Sequence, residues 1–105
     1  MAMPRTLRLM AALAGLACTS VVGCAPIMYY VNALEGTQAV EEARRAGADR
    51  LDPYNFYYAQ AHLVKAREEA NAGEYQFATQ FAQTAASSGR EARDTAQRRA
   101  QESGR

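Results

Sequence analysis

The sequence predicts an all-α fold: an antiparallel helical hairpin over about 53–72 and 74–100, with a preceding helix over about 28–47, all behind an N-terminal export signal. Three observations carry this. Apolar residues recur three and four apart through each segment, which is the period of a helix with one buried face. Gly47, Pro53 and Gly73 punctuate the segments where one helix would stop and the next begin. Alanine recurs on both facing stripes of the hairpin.

The chain opens with a positive n-region, Arg5 and Arg8, followed by the uncharged apolar run LMAALAGLACTSVV at residues 9–22. That is the arrangement of an export signal. The run is shorter than the roughly 18 to 20 residues a helix needs to cross a bilayer, and Pro26 follows soon after, so a permanent transmembrane helix is the weaker reading. The expected division is a cleaved signal at 1–23 and a single small helical domain at 24–105, with a polar, solvated extension from about 90.

Val21, Val22, Gly23 and Cys24 resemble the bacterial lipobox, with a branched apolar residue three before the cut, a small one just before it, and cysteine after it. Cys18 also follows a small residue, but Gly15 fits the branched position poorly and a cut there leaves a very short apolar run. The resemblance implies that the Cys24 thiol carries a diacylglycerol and that the preceding peptide is removed. One acyl chain holds a protein only marginally, whereas two or more give stable anchoring. Ala25 stands where an aspartate would retain a lipoprotein in the inner membrane. The resemblance therefore implies an outer-membrane location facing the periplasm, in a host that has an outer membrane.

Charge and cysteine usage narrow the function classes. Arg5 and Arg8 are two of the 12 Lys and Arg, and all 11 Asp and Glu lie beyond Cys24, which leaves the segment after the signal at net −1. Nothing here draws nucleic acid to the chain as a whole. Cys18 and Cys24 are the only two cysteines, one discarded and one acylated, so no thiol remains for a disulfide or a zinc site. About 80 residues make one small domain whose core depends on close packing or on partners.

In the first helix Tyr30, Ala33, Thr37, Val40 and Arg44 form the expected stripe, and Gly47 supplies the stop. Asp52 is placed to cap a second helix starting at Pro53, whose fixed φ suits the first helical position. Leu51 then closes over Phe56 as a hydrophobic staple. Phe56, Ala59, Leu63, Ala66 and Ala70 line the buried stripe of that helix, with Tyr57 and Val64 beside it and Lys65, Arg67, Glu68 and Glu69 opposite. Gly73 reverses the chain, and Glu74 falls in the first turn of the third helix, where its charge suits the dipole. Tyr75, Ala78, Ala82, Ala85 and Gly89 form the facing stripe, flanked by Phe77 and Phe81. A connection so short makes the two helices antiparallel neighbours. Beyond Gly89 only Ala92, Ala96 and Ala100 interrupt a polar run, which reads as a solvated helix fraying toward Arg105.

Residues 43–85 resemble the helical hairpin of small bacterial envelope lipoproteins grouped as domain of unknown function 4398. The matching features are the Ala46 to Ala48 segment, Pro53, the Lys65 to Glu68 turn, and Gly73 to Tyr75 followed by Ala78, Ala82 and Ala85. The resemblance implies an envelope lipoprotein with no established activity and carries over no functional residue. The same region is similar to one tetratricopeptide repeat at Gly73, Tyr75, Ala78 and Ala85. It departs from that motif at Ala82, Lys65 and Ala66, and it has no second copy.

His62 is the only histidine and lacks metal-ligand spacing, which favours a structural or surface role. Glu68 and Glu69 diverge by about 100 degrees on a helix and cannot act as an acid and base pair. Tyr54, Phe56, Tyr57 and Tyr58 spread around more than one side of their helix, so some of these rings face the core and others meet another surface. Tyr54, Tyr57 and Tyr58 are the candidate partner-binding residues, and Cys24 is the candidate lipidation site. Tyr29 and Tyr30, close after Cys24, are placed to rest at lipid headgroups. No nucleophile with a base, metal constellation or phosphate loop is visible, so no cofactor and no small-molecule substrate are expected. The expectation is a non-enzymatic envelope adaptor or scaffold, held to the membrane through Cys24. Its partner is another envelope protein or, alternatively, a second copy in a self-associating structural lipoprotein.

Overall fold

The computed structural model describes residues 4–10 and 24–104. Most of the apolar run of the expected export signal, Cys18, and the three residues before Cys24 lie outside the described residues. Residues 5–10 are helical, and the remaining elements are α1 (Cys24–Arg45), α2 (Ala48–Leu51), α3 (Pro53–Asn71) and α4 (Tyr75–Ser103). Among the described residues there is no strand, so the fold is all-α as the sequence predicts.

α1 and α4 run parallel, and α3 runs against both. Tyr29 meets Tyr75, Gly36 faces Ala82 and Ala85, Gly89 faces Ala39 and Val40, and Glu42 pairs with Arg93, so residue numbers rise together along the α1–α4 seam. Leu63 reaches Gly36 while Arg44 lies over the Phe56 ring, which sets α3 antiparallel to α1. The hairpin α3–α4 forms as expected, but α1 does more than lie against it. The longest seam in the molecule is the one between α1 and α4.

Glycine and alanine allow that seam to close. A Cβ on Gly89 would stand 2.9 Å from both the carbonyl carbon and the Cβ of Ala39, and one on Gly36 would stand 3.1 Å from the Ala82 carbonyl oxygen. Ala39, Ala43, Ala78, Ala82, Ala85 and Ala86 are buried around these contacts. The larger apolar groups gather at the edges of the seam. One cluster holds Val40, Phe56 and Leu63 with Ala92 and Ala96, and the other holds Tyr29 with Ala66, Ala78 and Ala82.

The α3 stripe is placed as its spacing implies: Phe56, Ala59, Leu63 and Ala66 are buried and Ala70 packs against the core. On α4 the expected stripe is likewise inward. Several expectations change. The α1 stripe is rotated by about one residue: Tyr29, Gly36, Val40 and Ala43 are buried, whereas Tyr30, Thr37 and Arg44 face outward. Tyr29 is therefore a core residue with its ring tilted toward that of Tyr75 and not a headgroup contact. The segment beyond residue 90 is solvated only in part, because Ala92 and Ala96 are fully buried against the first cluster, whereas residues 97–104, Ala100 included, are exposed. Finally, α2 is an additional short helix that fills the link between Gly47 and Asp52.

The turns follow from local chemistry. Gly47 and Gly73 both take φ +81, the left-handed region that favours glycine. At Gly73 the amides of Gly73 and Glu74 return to the carbonyls of Ala70 and Glu69, a Schellman ending that starts the reversal into α4. Glu74 stands at the cap position of α4, one residue earlier than expected. Asp52 occupies the cap position before Pro53, but its carboxylate makes no bond to the helix amides. It is buried and accepts a 2.9 Å hydrogen bond from the Asn55 side-chain amide. Leu51 packs against the cluster that contains Phe56, as a staple would, and its carbonyl accepts from the Arg99 guanidinium.

Gly89→Ala is expected to lower unfolding free energy by about 1 to 2 kcal/mol, because forced separation of the α1 and α4 backbones outweighs the gain in helix propensity. Urea unfolding followed by far-ultraviolet circular dichroism measures it. Ala92→Glu, which places a charge against the first cluster, is expected to cost more than Gly89→Ala in the same assay. A neutral Ala92→Glu would mean that the end of α4 does not pack.

Candidate functional site

The two sequence-selected features lie toward opposite ends of the helical body. Cys24 is exposed at the first residue of α1. The tyrosines cluster in the first turns of α3, beside Arg44 near the other end of α1. Twenty residues of helix separate Cys24 from Arg44, a rise of roughly 30 Å.

The structure divides the aromatic cluster into a core residue and a ridge. Phe56 is buried, with Tyr57 edge-on at 5.1 Å and the Arg44 guanidinium 5.6 Å from its ring centre. Tyr54, Tyr57 and Tyr58 are 74%, 56% and 40% exposed, so all three candidate residues remain available to a partner. They do not form one patch. Tyr54 stacks on Tyr58 at 5.9 Å, Tyr58 lies 4.1 Å from the His62 ring, and His62 lies 5.7 Å from Phe81, making a row that crosses from α3 to α4. Tyr57 points to the other side, into an open groove of about 500 Å³ between α1 and α3. Val40, Leu63 and Val64 supply apolar lining to the groove, and Glu41, Arg44 and Arg67 supply its charges.

The row explains His62. Its Nδ1 lies 2.9 Å from the Tyr58 carbonyl oxygen one turn earlier, and its ring fills the space between Tyr58 and Phe81. Among the described residues no group of three or more His, Cys, Asp or Glu side chains is arranged to hold a metal ion. Lys65, on the outer face of α3, pairs with Glu69 at 3.0 Å and with Glu68 at 3.3 Å. Those hydrogen bonds, first to Glu69 and then to Glu68, raise its pKa above the ordinary 10.5. A raised lysine contributes its stabilisation below its unfolded pKa and loses it as pH rises through the folded one, so this pair is constant through the neutral range. The Arg93 guanidinium bridges Glu42 at 2.6 Å and Asp94 at 3.0 Å, which raises its pKa in the same direction and ties α4 to α1 at the surface.

The sequence reading did not single out the α1–α3 groove or the exposed apolar face of α1. Ile27, Tyr30, Val31 and Leu34 are 50% to 66% exposed, and their spacing of three and four could have marked a second apolar stripe. Among the described residues no helix is long and apolar enough to cross a membrane. Comparison of the chain with protein-family models, with curated proteins and with solved structures returns no match. The likeness of residues 43–85 to an envelope-lipoprotein hairpin therefore rests on the motif residues themselves.

Core and ridge separate by mutation. Phe56→Ala is expected to cost about 3 kcal/mol or more of stability, whereas Tyr54→Ala should stay within about 0.5 kcal/mol. Denaturant titration of both variants checks the division, and a large loss at Tyr54 would place it in the core.

Proposed function

We propose that the chain is a lipid-anchored cell-envelope protein, acylated on Cys24, which holds a rigid helical body at the membrane and binds another envelope protein through the α3 tyrosines. The observation that carries this reading is the exposure of Tyr54, Tyr57 and Tyr58 at the end of the body away from Cys24. A ring left half in water, with a hydroxyl at its tip, suits a surface that is dry only when a partner covers it. The groove beside Tyr57 adds an apolar recess bordered by Glu41, Arg44 and Arg67. That combination favours a protein segment with an apolar anchor and polar flanks.

The membrane half of the reading rests on the export signal and on the lipobox-like residues before Cys24. Cys24 is exposed at the first residue of α1. By the same resemblance, Ala25 favours the outer membrane facing the periplasm. The task assigned to the protein is non-enzymatic, with the ring of His62 serving the aromatic row.

Two measurements on one preparation test the proposal. Mass spectrometry of the native N-terminal peptide is expected to find Cys24 as the first residue with a diacylglycerol on its sulfur. A benzophenone side chain at position 57 is expected to trap a distinct envelope protein on irradiation. An unmodified thiol overturns the anchoring, and adducts consisting solely of this chain replace the adaptor with a self-associating structural lipoprotein.

A further inference from the structure

The outer face of α1 changes character within a single turn. From Cys24 to Leu34 the helix carries no charged side chain, and Glu35 is the first. Over this stretch both sides of α1 are apolar. Tyr29 and Ala33 pack inward on α3 and α4, while Ile27, Met28, Tyr30, Val31 and Leu34 stand half or more exposed on the outside. The polar side chain of Asn32 is turned back on the helix, where it donates a 2.7 Å hydrogen bond to the Met28 carbonyl. Past Leu34 the same outer side presents Gln38, Glu42 and Arg45. A helix apolar on all sides is a helix covered on all sides, and a contiguous exposed apolar surface marks a contact.

The position of this surface in the molecule identifies its cover. It begins three residues after Cys24 and ends within about 15 Å of it along the helix. Phe77, 53% exposed in the first turn of α4, lies at the same end, because Tyr75 meets Tyr29 there. The opposite end of α1 and α4 carries the arginines, Arg44, Arg45, Arg93, Arg98 and Arg99 among them. The exposed apolar side chains of α1 are thus gathered at the end where the acyl chains would attach, and they stop where charge begins.

Resting on the anchoring proposed above, we infer that the first three turns of α1 are themselves a membrane contact: Ile27, Tyr30, Val31 and Leu34 enter the headgroup and upper acyl region, and Glu35 marks the water boundary. An interfacial helix buries its apolar face about 5–10 Å into that region. Tyrosine belongs at that depth, with its ring in the apolar layer and its hydroxyl among the headgroups. The contact is apolar and not electrostatic, since no lysine or arginine lies between Cys24 and Leu34 to meet an anionic lipid. The consequence is orientation: acyl chains alone let the body swivel, whereas a seated helix face holds the α3 tyrosines in the space away from the bilayer.

Site-directed spin labelling of the full chain, matured in its host and reconstituted into phosphatidylcholine vesicles, tests this. Val31→Cys, Gln38→Cys and Tyr57→Cys variants each present a single new thiol for a nitroxide when Cys24 is acylated. The label at 31 is expected to collide with oxygen and to lose collision with a water-soluble nickel chelate, while labels at 38 and 57 collide freely with the chelate. Adding phosphatidylglycerol should leave the contrast unchanged. Chelate access at 31 equal to that at 38 overturns the inference, and so does a label at 31 shielded from both reagents, which would show a protein covering the face. Labelling of the unsubstituted chain reports Cys24 separately: uptake there sinks the anchoring, whereas the contrast between 31 and 38 decides the membrane contact.

Discussion

The close parallel approach of α1 to α4 governs this molecule. At Gly89 the two backbones are so near that a single methyl group would meet Ala39 at 2.9 Å. Glycine inside a helix costs about 1 kcal/mol relative to alanine. Here that cost is offset by contact along a seam lined almost entirely by alanine, where many small dispersion gains add up without the loss of side-chain freedom that longer residues incur. The seam also joins two helices far apart in sequence, α1 (Cys24–Arg45) and α4 (Tyr75–Ser103). α3 then has its place fixed by the short turn at Gly73 and by Leu63 against Gly36.

A seam of small residues displaces bulk to the outside. Leu34, Val64, Tyr57 and Phe77 have no room between α1 and α4 and stand at the edges, more than half exposed. The packing that makes the body narrow also provides the surfaces on which the proposed binding rests. Those surfaces are sorted by position. Toward Cys24 α1 itself carries exposed apolar side chains and no charge up to Leu34, and tyrosines with neighbouring arginine and glutamate occupy the other end of the α1–α3 pair. The proposed division between a membrane-facing end and a partner-facing end rests on this sorting.

The two hairpin stripes were legible in the sequence because each had one clear apolar face, Phe56 to Ala70 on α3 and Tyr75 to Gly89 on α4. The α1 stripe was misjudged by one residue for a physical reason. Over 27–34 that helix is apolar on both sides, so periodicity cannot say which side is buried, and the deciding signal was Gly36 with Ala39 and Ala43, the residues that permit approach. The end of α4 was misread because Ala92 and Ala96 among charges look like a solvated helix. Alanine every four residues is nonetheless all that a close seam can hold, and both side chains are fully buried. Asp52 was recognised as a cap position, but its buried carboxylate bonds Asn55 and not the helix amides. At the candidate site the sequence identified the exposed tyrosines. It did not reveal their division between the His62 row and the α1–α3 groove, which depends on how α3 is rotated against its neighbours.

The most direct test of this arrangement is a nuclear Overhauser spectrum of the isotope-labelled protein in detergent micelles. Parallel contact of α1 with α4 brings the Gly89 α-protons against the Ala39 methyl group, and a strong cross-peak between them is expected, together with slow amide exchange at Ala92. Absence of that cross-peak, with Ala92 exchanging as fast as the chain terminus, would contradict the seam and the separation of surfaces that follows from it.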